Sequence, residues 1–415
     1  MQLVEIHQIS RGHPFFKECD SLSRQAKLLY NEANYLVRQL YISKNDYLDA
    51  SNLQKLLQKT SENYKSLPAK VSAQTLRNLH TNWLSFFAAM REYGKHPSKF
   101  LARPSLPGYK KVYCLVIYDR QAISTRELKK GMLKLSKTNI KIPYQHKECQ
   151  VKQARIIPIN SQLFKIEIVY EIKNKEVEQF GTKQVGVDLG LNNLATIAGE
   201  ANPVIMEGRV LKSYNQYYNK ERARLQAKLP QGQYSSKRID RLTNKRNNKI
   251  NDYMHRISKR IIDYCLTNAI GELVIGYNPE WKQKINLGRR TNQNFVNIPF
   301  RKLIEKVQYK AEREGIEVIL QEESYTSKCS FLDDEPMCHH EKYVGRRIRR
   351  GLFRSEKGVV INADVNGALN ILRKSNPQFN VVNEGIQVVA IPPVRVNPHL
   401  KGKMDHLQTE AMIYH

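Results

Sequence analysis

The stretch that most constrains the fold is QVGVDLGLNNLA, residues 184–195: an apolar run that reads as a buried strand, interrupted by one aspartate and followed by a Gly-Leu-Asn-Asn turn. A buried carboxylate is costly unless it is paired, hydrogen-bonded or holding a cation. Asp188 therefore requires partners that its neighbours in sequence do not supply, and distant parts of the chain have to bring them.

Hydrophobic periodicity shows which parts those are. LVEIHQI (Leu3 to Ile9) alternates as a strand does, and apolar residues then recur at helical spacing from about Leu22 to Leu40. A second helical stretch runs from about Ala73 through Trp83, Phe86 and Phe87, until the glycine and prolines of EYGKHPSKFLARPSLPGYKK break it. VYCLVIY (Val112 to Tyr118), ARIIPI (Ala154 to Ile159) and FKIEIVYEI (Phe164 to Ile172) return to strand-type alternation. Residues 1 to about 180 thus read as a β-rich module carrying a helical insert.

From Lys183 the grammar changes. Strands at Asp188, at LATIA (Leu194 to Ala198) and near Val204 to Met206 precede long helices, the strand ELVIGYN, a helix from about Pro299 to Arg313, and the strand GIEVILQEE. A polar, basic excursion holds Cys329, Cys338 and GRRIRRGLFR, and VVINADVNGALNIL then reads as a strand feeding a helix with Asp364 in its first turn. The expected fold class is α/β and β+α multidomain. Open α/β sheets place their sites at strand ends, so Asp188 and Asp364 are expected at one edge of one sheet.

The chain has 415 residues, a length that suggests two to three domains. Its net charge of +29, spread along the whole length, points to a polyanionic partner, with nucleic acid ahead of an anionic membrane surface. No apolar run reaches the roughly 18 residues a membrane span needs, and no signal peptide or lipidation motif is present, so a soluble, cytoplasmic protein is expected. Six cysteines form no dense disulfide framework and suit a reducing compartment. In SKRIDRLTNKRNNKINDYMHRISKRIIDYCL, Ile239, Leu242, Ile250, Met254, Ile257 and Ile261 share one helical face. Lys237, Arg238, Lys245, Arg246, Lys249, Arg256, Lys259 and Arg260 occupy the rest, with few acids expected to pair with them at i,i+4, which favours phosphate contact over a merely solvated face.

Two aspartates so placed, with a glutamate from an intervening strand, make a site for Mg²⁺, which takes hard oxygen ligands and keeps positions open for water and phosphate. Two such ions clamp the attacking water and the leaving oxygen of a phosphodiester in line. This is the ribonuclease H-like nuclease design.

GVDLGLNNLAT, ESYTSKCSF and INADVNGALNIL, in this order and spacing, resemble the three motif regions of a RuvC-like nuclease of the TnpB family. These are RNA-guided DNA endonucleases encoded by insertion sequences, similar to the ancestors of type V CRISPR effectors and related to Fanzor. FLARPSLPGYKK and IYDRQAIS extend the similarity upstream. The resemblance implies a wedge-like β module in residues 1–15 and 96–180, a helical recognition insert in 16–95, the nuclease domain in 181–322 and 359–374, a zinc-ribbon-like insert in 323–358 and a tail in 375–415. It implies Asp188, Asp364 and a second acid as Mg²⁺ ligands and catalytic residues, with a guide RNA from its own locus and double-stranded target DNA as partners.

Two departures from the family pattern stand out. Where most relatives end the strand LVIGYN on a glutamate, this chain has Gly276. A glutamate three residues before the threonine of YTSK resembles the relocated acid of the Fanzor branch, which selects Glu323, with Glu322 as the alternative and Glu280 as a weaker candidate. The relatives' ribbon carries two C-x-x-C pairs, whereas Cys329 and Cys338 stand nine positions apart and no cysteine follows. His339 and His340 are the other ligand types nearby, and the ligand count favours a degenerate ribbon held by packing over a zinc site. Asn366 and Asn370, one turn apart, are candidates for supporting the site or for core polar contacts. The expected activity is Mg²⁺-dependent, RNA-guided DNA cleavage; the alternatives are a nuclease-dead RNA-guided repressor and a DNA transposase acting in strand transfer, the latter disfavoured by the absence of an H-x-H pair.

Overall fold

Alternation along LVEIHQI builds the first strand of the computed structural model, which describes residues 1–172, 180–278, 297–379 and 392–398. The chain divides into two units, Met1–Asn174 and Lys175–His415. In the first, β1 (Gln2–Ser10) is followed by helices α1 (Phe16–Lys44), α2 (Ala50–Thr60), α3 (Glu62–Lys65) and α4 (Ala69–Lys95). Then come β2 (Val116–Asp119), α5 (Thr125–Lys129), the two-stranded pair β3 (Met132–Lys134) and β4 (Lys141–Pro143), and the hairpin β5 (Gln150–Asn160) and β6 (Leu163–Glu171). The sheet order is β1-β6-β5-β2, antiparallel throughout.

Both long helices of this unit extend beyond their sequence-based bounds, and α2 and α3 join them. Leu29, Tyr30, Ala33 and Val37 of α1 meet Leu76, Leu79 and Trp83 of α4 in one apolar core. Trp83 donates its indole N–H to Asn34 Oδ1 at 3.1 Å, so the largest buried side chain leaves no polar atom unpaired. The proline-rich segment is irregular but tied down. Asn34 and Arg38 both donate to the Pro107 carbonyl, Asn31 exchanges two hydrogen bonds with the backbone of Lys110, and the Lys110 ammonium lies over the Tyr30 ring. VYCLVIY contributes only its end to β2, because Cys114 N–H is drawn to the Ser23 carbonyl of α1 instead of a strand partner.

The second unit opens with an antiparallel meander, β7 (Lys183–Leu189), β8 (Asn193–Gly199) and β9 (Val204–Glu207). Helices α6 (Arg209–Gln226) and α7 (Lys237–Thr267) lead to β10 (Ile270–Gly276), which pairs parallel with β7. Helix α8 (Phe300–Arg313) leads to β11 (Glu317–Gln321), parallel to β10. A small sheet of β12 (Arg346–Arg349), β13 (Leu352–Arg354) and β14 (Val360–Asn362) precedes helix α9 (Ala363–Ser375), and β15 (Val394–Val396) pairs parallel with β9. The main sheet therefore runs β11-β10-β7-β8-β9-β15.

Period-two alternation sorts this sheet's side chains between two cores. Val185, Val187, Leu189, Leu273 and Ile275 pack with Ile250, Met254, Ile257 and Ile261 of α7 and Leu303 and Val307 of α8. Each of these apolar side chains contributes about 1.5–3 kcal/mol on full burial. The opposite face, with Val274 and Ala198, packs against Leu369, Ile371 and Leu372 of α9. There α9 crosses β7 so closely that a Cβ on Gly186 would collide with the Ala368 carbonyl. Ser236 caps α7 by accepting from Ile239 N, and Asn362 caps α9 by accepting from Asp364 N and Val365 N.

Most of the basic residues of α7 lie outside its packed face, as the spacing predicts, although Arg256 and Lys259 do pair at i,i+4 with Asp252 and Asp263, against expectation, and Arg246 is not on the open face. It is half-buried, lies over the Tyr218 ring and donates to Asn215 Oδ1 and the Asn297 carbonyl, so it fastens α7 to its neighbours. Among the described residues no helix is long and apolar enough to cross a membrane.

Candidate nuclease site

The alternation that sends Val185, Val187 and Leu189 to one core sends Gly186 and Asp188 to the α9 side. On β10 the same rule turns Val274 and Gly276 to that side, and beyond β11 it continues through Ile319 to Glu323. Asp364, second residue of α9, stands at the helix N-terminus on the same face, where the peptide dipoles favour negative charge. Asp364 and Glu323, from two other elements, thus both come near Asp188.

Their proximity shows in Asp188. Burial, and then the charges of Asp364 and Glu323, push its pKa up from 3.8 to about 8, with Arg347 opposing. The carboxylate lies against α9 at its closest point, where a Cβ on Gly367 would stand 3.0 Å from Asp188 Oδ2. Asp364 Oδ2 accepts from Asn193 Nδ2 at 2.5 Å, and its Oδ1 is 3.8 Å from Arg347 Nη2.

Gly276 occupies the place where the family pattern expects an acid, and its surroundings explain the glycine. A Cβ there would stand 3.0 Å from Glu323 Oε2 and 2.5 Å from Ile371 Cδ1. The Glu323 carboxylate fills the space above Gly276. The turn after β11 places it: Tyr277 N–H extends the pairing to the Gln321 carbonyl, and Thr326 donates its hydroxyl to the Glu323 carbonyl at 2.8 Å. Glu322 points elsewhere. It accepts from Lys374 Nζ at 2.5 Å, from Ser324 N–H at 2.7 Å and from the Ser324 hydroxyl, and it is exposed. Glu280 lies outside the described residues.

A cavity of about 800 Å³ opens over Asp188 and Asp364, and Arg209, Lys212, Arg347 and Arg395 line it. Acid at the floor and cations at the walls suit a phosphodiester, whose charge the walls attract while the floor is left for a cation. Among the described residues no three His, Cys, Asp or Glu side chains are grouped tightly enough to hold a metal ion as they stand. The donor chemistry nonetheless fits a hard divalent cation: the facing groups are all carboxylate oxygens, and their mutual repulsion is what a cation relieves.

Residues 167–282 match the sequence family OrfB_IS605, described as a probable transposase, and residues 300–371 match the Cas12f1-like TNB domain. A TnpB-like protein, ORF457 of Acidianus two-tailed virus, is 24% identical over 392 residues, covering 84% of this chain and 81% of its own length. The resemblance to the TnpB family is thereby shown. The kinship reaches type V effectors: the CRISPR-associated endodeoxyribonuclease Cas12f1 of Sulfoacidibacillus thermotolerans is 27% identical over 208 residues, 46% of this chain and 45% of that protein. Among solved structures, the Cas12f1-sgRNA-target DNA complex contains a chain that aligns with a TM-score of 0.54 at 16% identity, over 87% of this chain and 82% of that one. The mini-RNA-guided endonuclease CRISPR-Cas_phi3 aligns with a TM-score of 0.50 at 10% identity, over 90% and 92%. At these identities the likeness is one of fold, a mixed α/β, multidomain architecture.

The TNB-like region is tied together by polar contacts as well as by packing. Cys329 Sγ faces the Pro336 carbonyl at 3.4 Å, and Cys338 Sγ lies 3.4 Å from His340 Nε2. The hub is Glu335, only 2% exposed, whose carboxylate accepts from Ser330 N at 2.6 Å and Val344 N at 2.8 Å. Arg373 of α9 donates to the Glu335 and Phe331 carbonyls and pairs with Asp334 at 2.9 Å. Asn366 and Asn370 belong to this scaffold. Asn366 exchanges hydrogen bonds with Phe331 N and the Cys329 carbonyl, and Asn370 donates to the Thr326 and Cys329 carbonyls. They secure the turn that carries Glu323.

Sequence reasoning did not find Asn193 or Arg395. Asn193 stands in the quoted stretch itself, five residues after Asp188, but nothing local reveals that its amide reaches Asp364, 171 residues away. Of the tail, Val388, Val389 and Ile391 lie outside the described residues, and Val394–Val396 forms a strand of the main sheet.

Proposed function

We propose that the chain is a guide-RNA-dependent DNA endonuclease with an RNase H-like, RuvC-type site in which Asp188, Glu323 and Asp364 hold Mg²⁺. The observation that carries this reading is the approach of two carboxylates, Asp364 at the start of α9 and Glu323 in the turn after β11, to Asp188 of β7, with Asp188 and Asp364 lining a cavity walled by cations. Bound there, divalent ions would supply an activated water and stabilise the leaving oxygen. The chain's own residues do the rest. Asp188 presents a carboxylate whose charge is disfavoured until a cation arrives, Glu323 supplies the acid absent at position 276, and Arg347, Arg209 and Lys212 attract the scissile backbone. The sheet order supports the RNase H-like reading, with an antiparallel three-stranded meander extended by parallel strands and helices on both faces.

Base pairing with the guide would read the target, while the protein contributes charge and shape recognition, for which the net charge of +29 is suited. Residues 1–15 and 96–180, with the helices of 16–95, are the proposed wedge and recognition parts. The test is to purify the protein with RNA from its own locus and offer it a plasmid library bearing the matched target and randomised flanks, with Mg²⁺ or EDTA. Guide- and Mg²⁺-dependent cleavage that Glu323→Ala abolishes is the expected result. Guided binding without cleavage by the wild type would make the protein a programmable repressor, and strand joining would make it a transposase.

A further inference from the structure

We infer that Asn193 and Arg395 are positioning residues that hold Asp364 for the cation, an inference that rests on the metal-site reading above. Asn193 opens β8, and Arg395 sits in β15, two strands away across β9. The Arg395 guanidinium donates to Asn193 Oδ1 at 2.9 Å, and Asn193 Nδ2 donates to Asp364 Oδ2 at 2.5 Å. These neighbours settle the amide's orientation, since a cation takes its oxygen and a carboxylate its N–H.

The relay matters because Asp364 has a competing partner. Arg347 stands 3.8 Å from Asp364 Oδ1, too far for a hydrogen bond and near enough to form one after a small swing of the carboxylate. Asn193 anchors the other oxygen and opposes that swing, leaving Oδ1 toward the cavity. Arg395 in turn fixes Asn193, so a strand that follows α9 in sequence takes part in shaping the site. Groups that orient a metal-binding carboxylate typically change metal affinity 10–100-fold when removed.

The test measures Mn²⁺ binding to the full chain with its co-purified RNA, by electron paramagnetic resonance of the free ion, alongside guided cleavage. Asp188→Ala defines the site-specific binding. Asn193→Ala is expected to weaken that binding about 10-fold and Arg395→Ala about 3-fold, with Arg395→Lys nearer wild type and melting temperatures unchanged. Asn193→Asp, the same size but acidic, should be worse than alanine, whereas a purely space-filling role would make it the milder change. In the expected outcome Asn193→Ala/Arg347→Ala recovers part of the lost Mn²⁺ affinity. Wild-type binding that Asn193→Ala and Asn193→Asp leave unchanged overturns this inference and spares the metal site; equal binding by wild type and Asp188→Ala overturns both.

Discussion

Glu335 and Asp188 are both acids drawn into the second unit, and their surroundings differ in kind. Glu335 receives a backbone N–H on each carboxylate oxygen, and a guanidinium caps its own carbonyl. Asp188 faces two further carboxylates, and its ionisation is opposed. The first arrangement holds a fold together. The second stores repulsion that a cation can release. Burial alone does not separate the two acids; the sign of what surrounds them does.

The sharpest way to break the comparison is to exchange the costs. Asp188→Asn should lower guided cleavage by about 10³-fold or more without loss of stability, because it removes a repulsive charge. The pH dependence carries the same sign. An acid whose folded pKa, about 8, lies above its unfolded value of 3.8 binds more protons when folded, so metal-free stability should fall as pH rises from about 4 to about 8. Thermal melts across that range in EDTA check this, and Asp188→Asn should flatten the profile.

Glu335→Ala should do the reverse. The buried Ser330 N–H and the part-buried Val344 N–H lose their acceptor, at a cost of about 2 kcal/mol, read as a lower denaturation midpoint. Next in size is Gly276→Ala. Its methyl would press on Glu323 Oε2 and Ile371, and a 10-fold fall in kcat, about 1.4 kcal/mol, is expected with guide affinity unchanged. Smallest is Glu322→Gln, which loosens an exposed pair with Lys374 and should shift stability by about 0.5 kcal/mol and cleavage by less than about twofold. A large cleavage defect there would return the second acid to Glu322.

Much of this architecture was legible because it is periodic. β7, α7, α8 and α9 carry apolar stripes several residues long, and the alternation through Asp188 already indicates which face it takes. α2 escaped notice because it buries only Leu53 and Leu57, too short a stripe to declare a period. The pair β3 and β4 consists of three-residue strands. At the site, the aspartates announce themselves as charges inside apolar runs. Asn193, Arg395 and Glu335 are ordinary polar residues whose partners lie across the fold, and Arg246 reads as one more cation on a basic helix until its acceptors are seen.

The parallel pairing of β10 with β11 also bears on how such a site tolerates substitution. Neighbouring parallel strands end at one edge, so an acid can be supplied from either, but Gly276 and Glu323 compete for a single volume. The two positions are therefore coupled: a side chain at 276 and the present placement of the Glu323 carboxylate exclude each other, so substitutions at the two should be strongly non-additive.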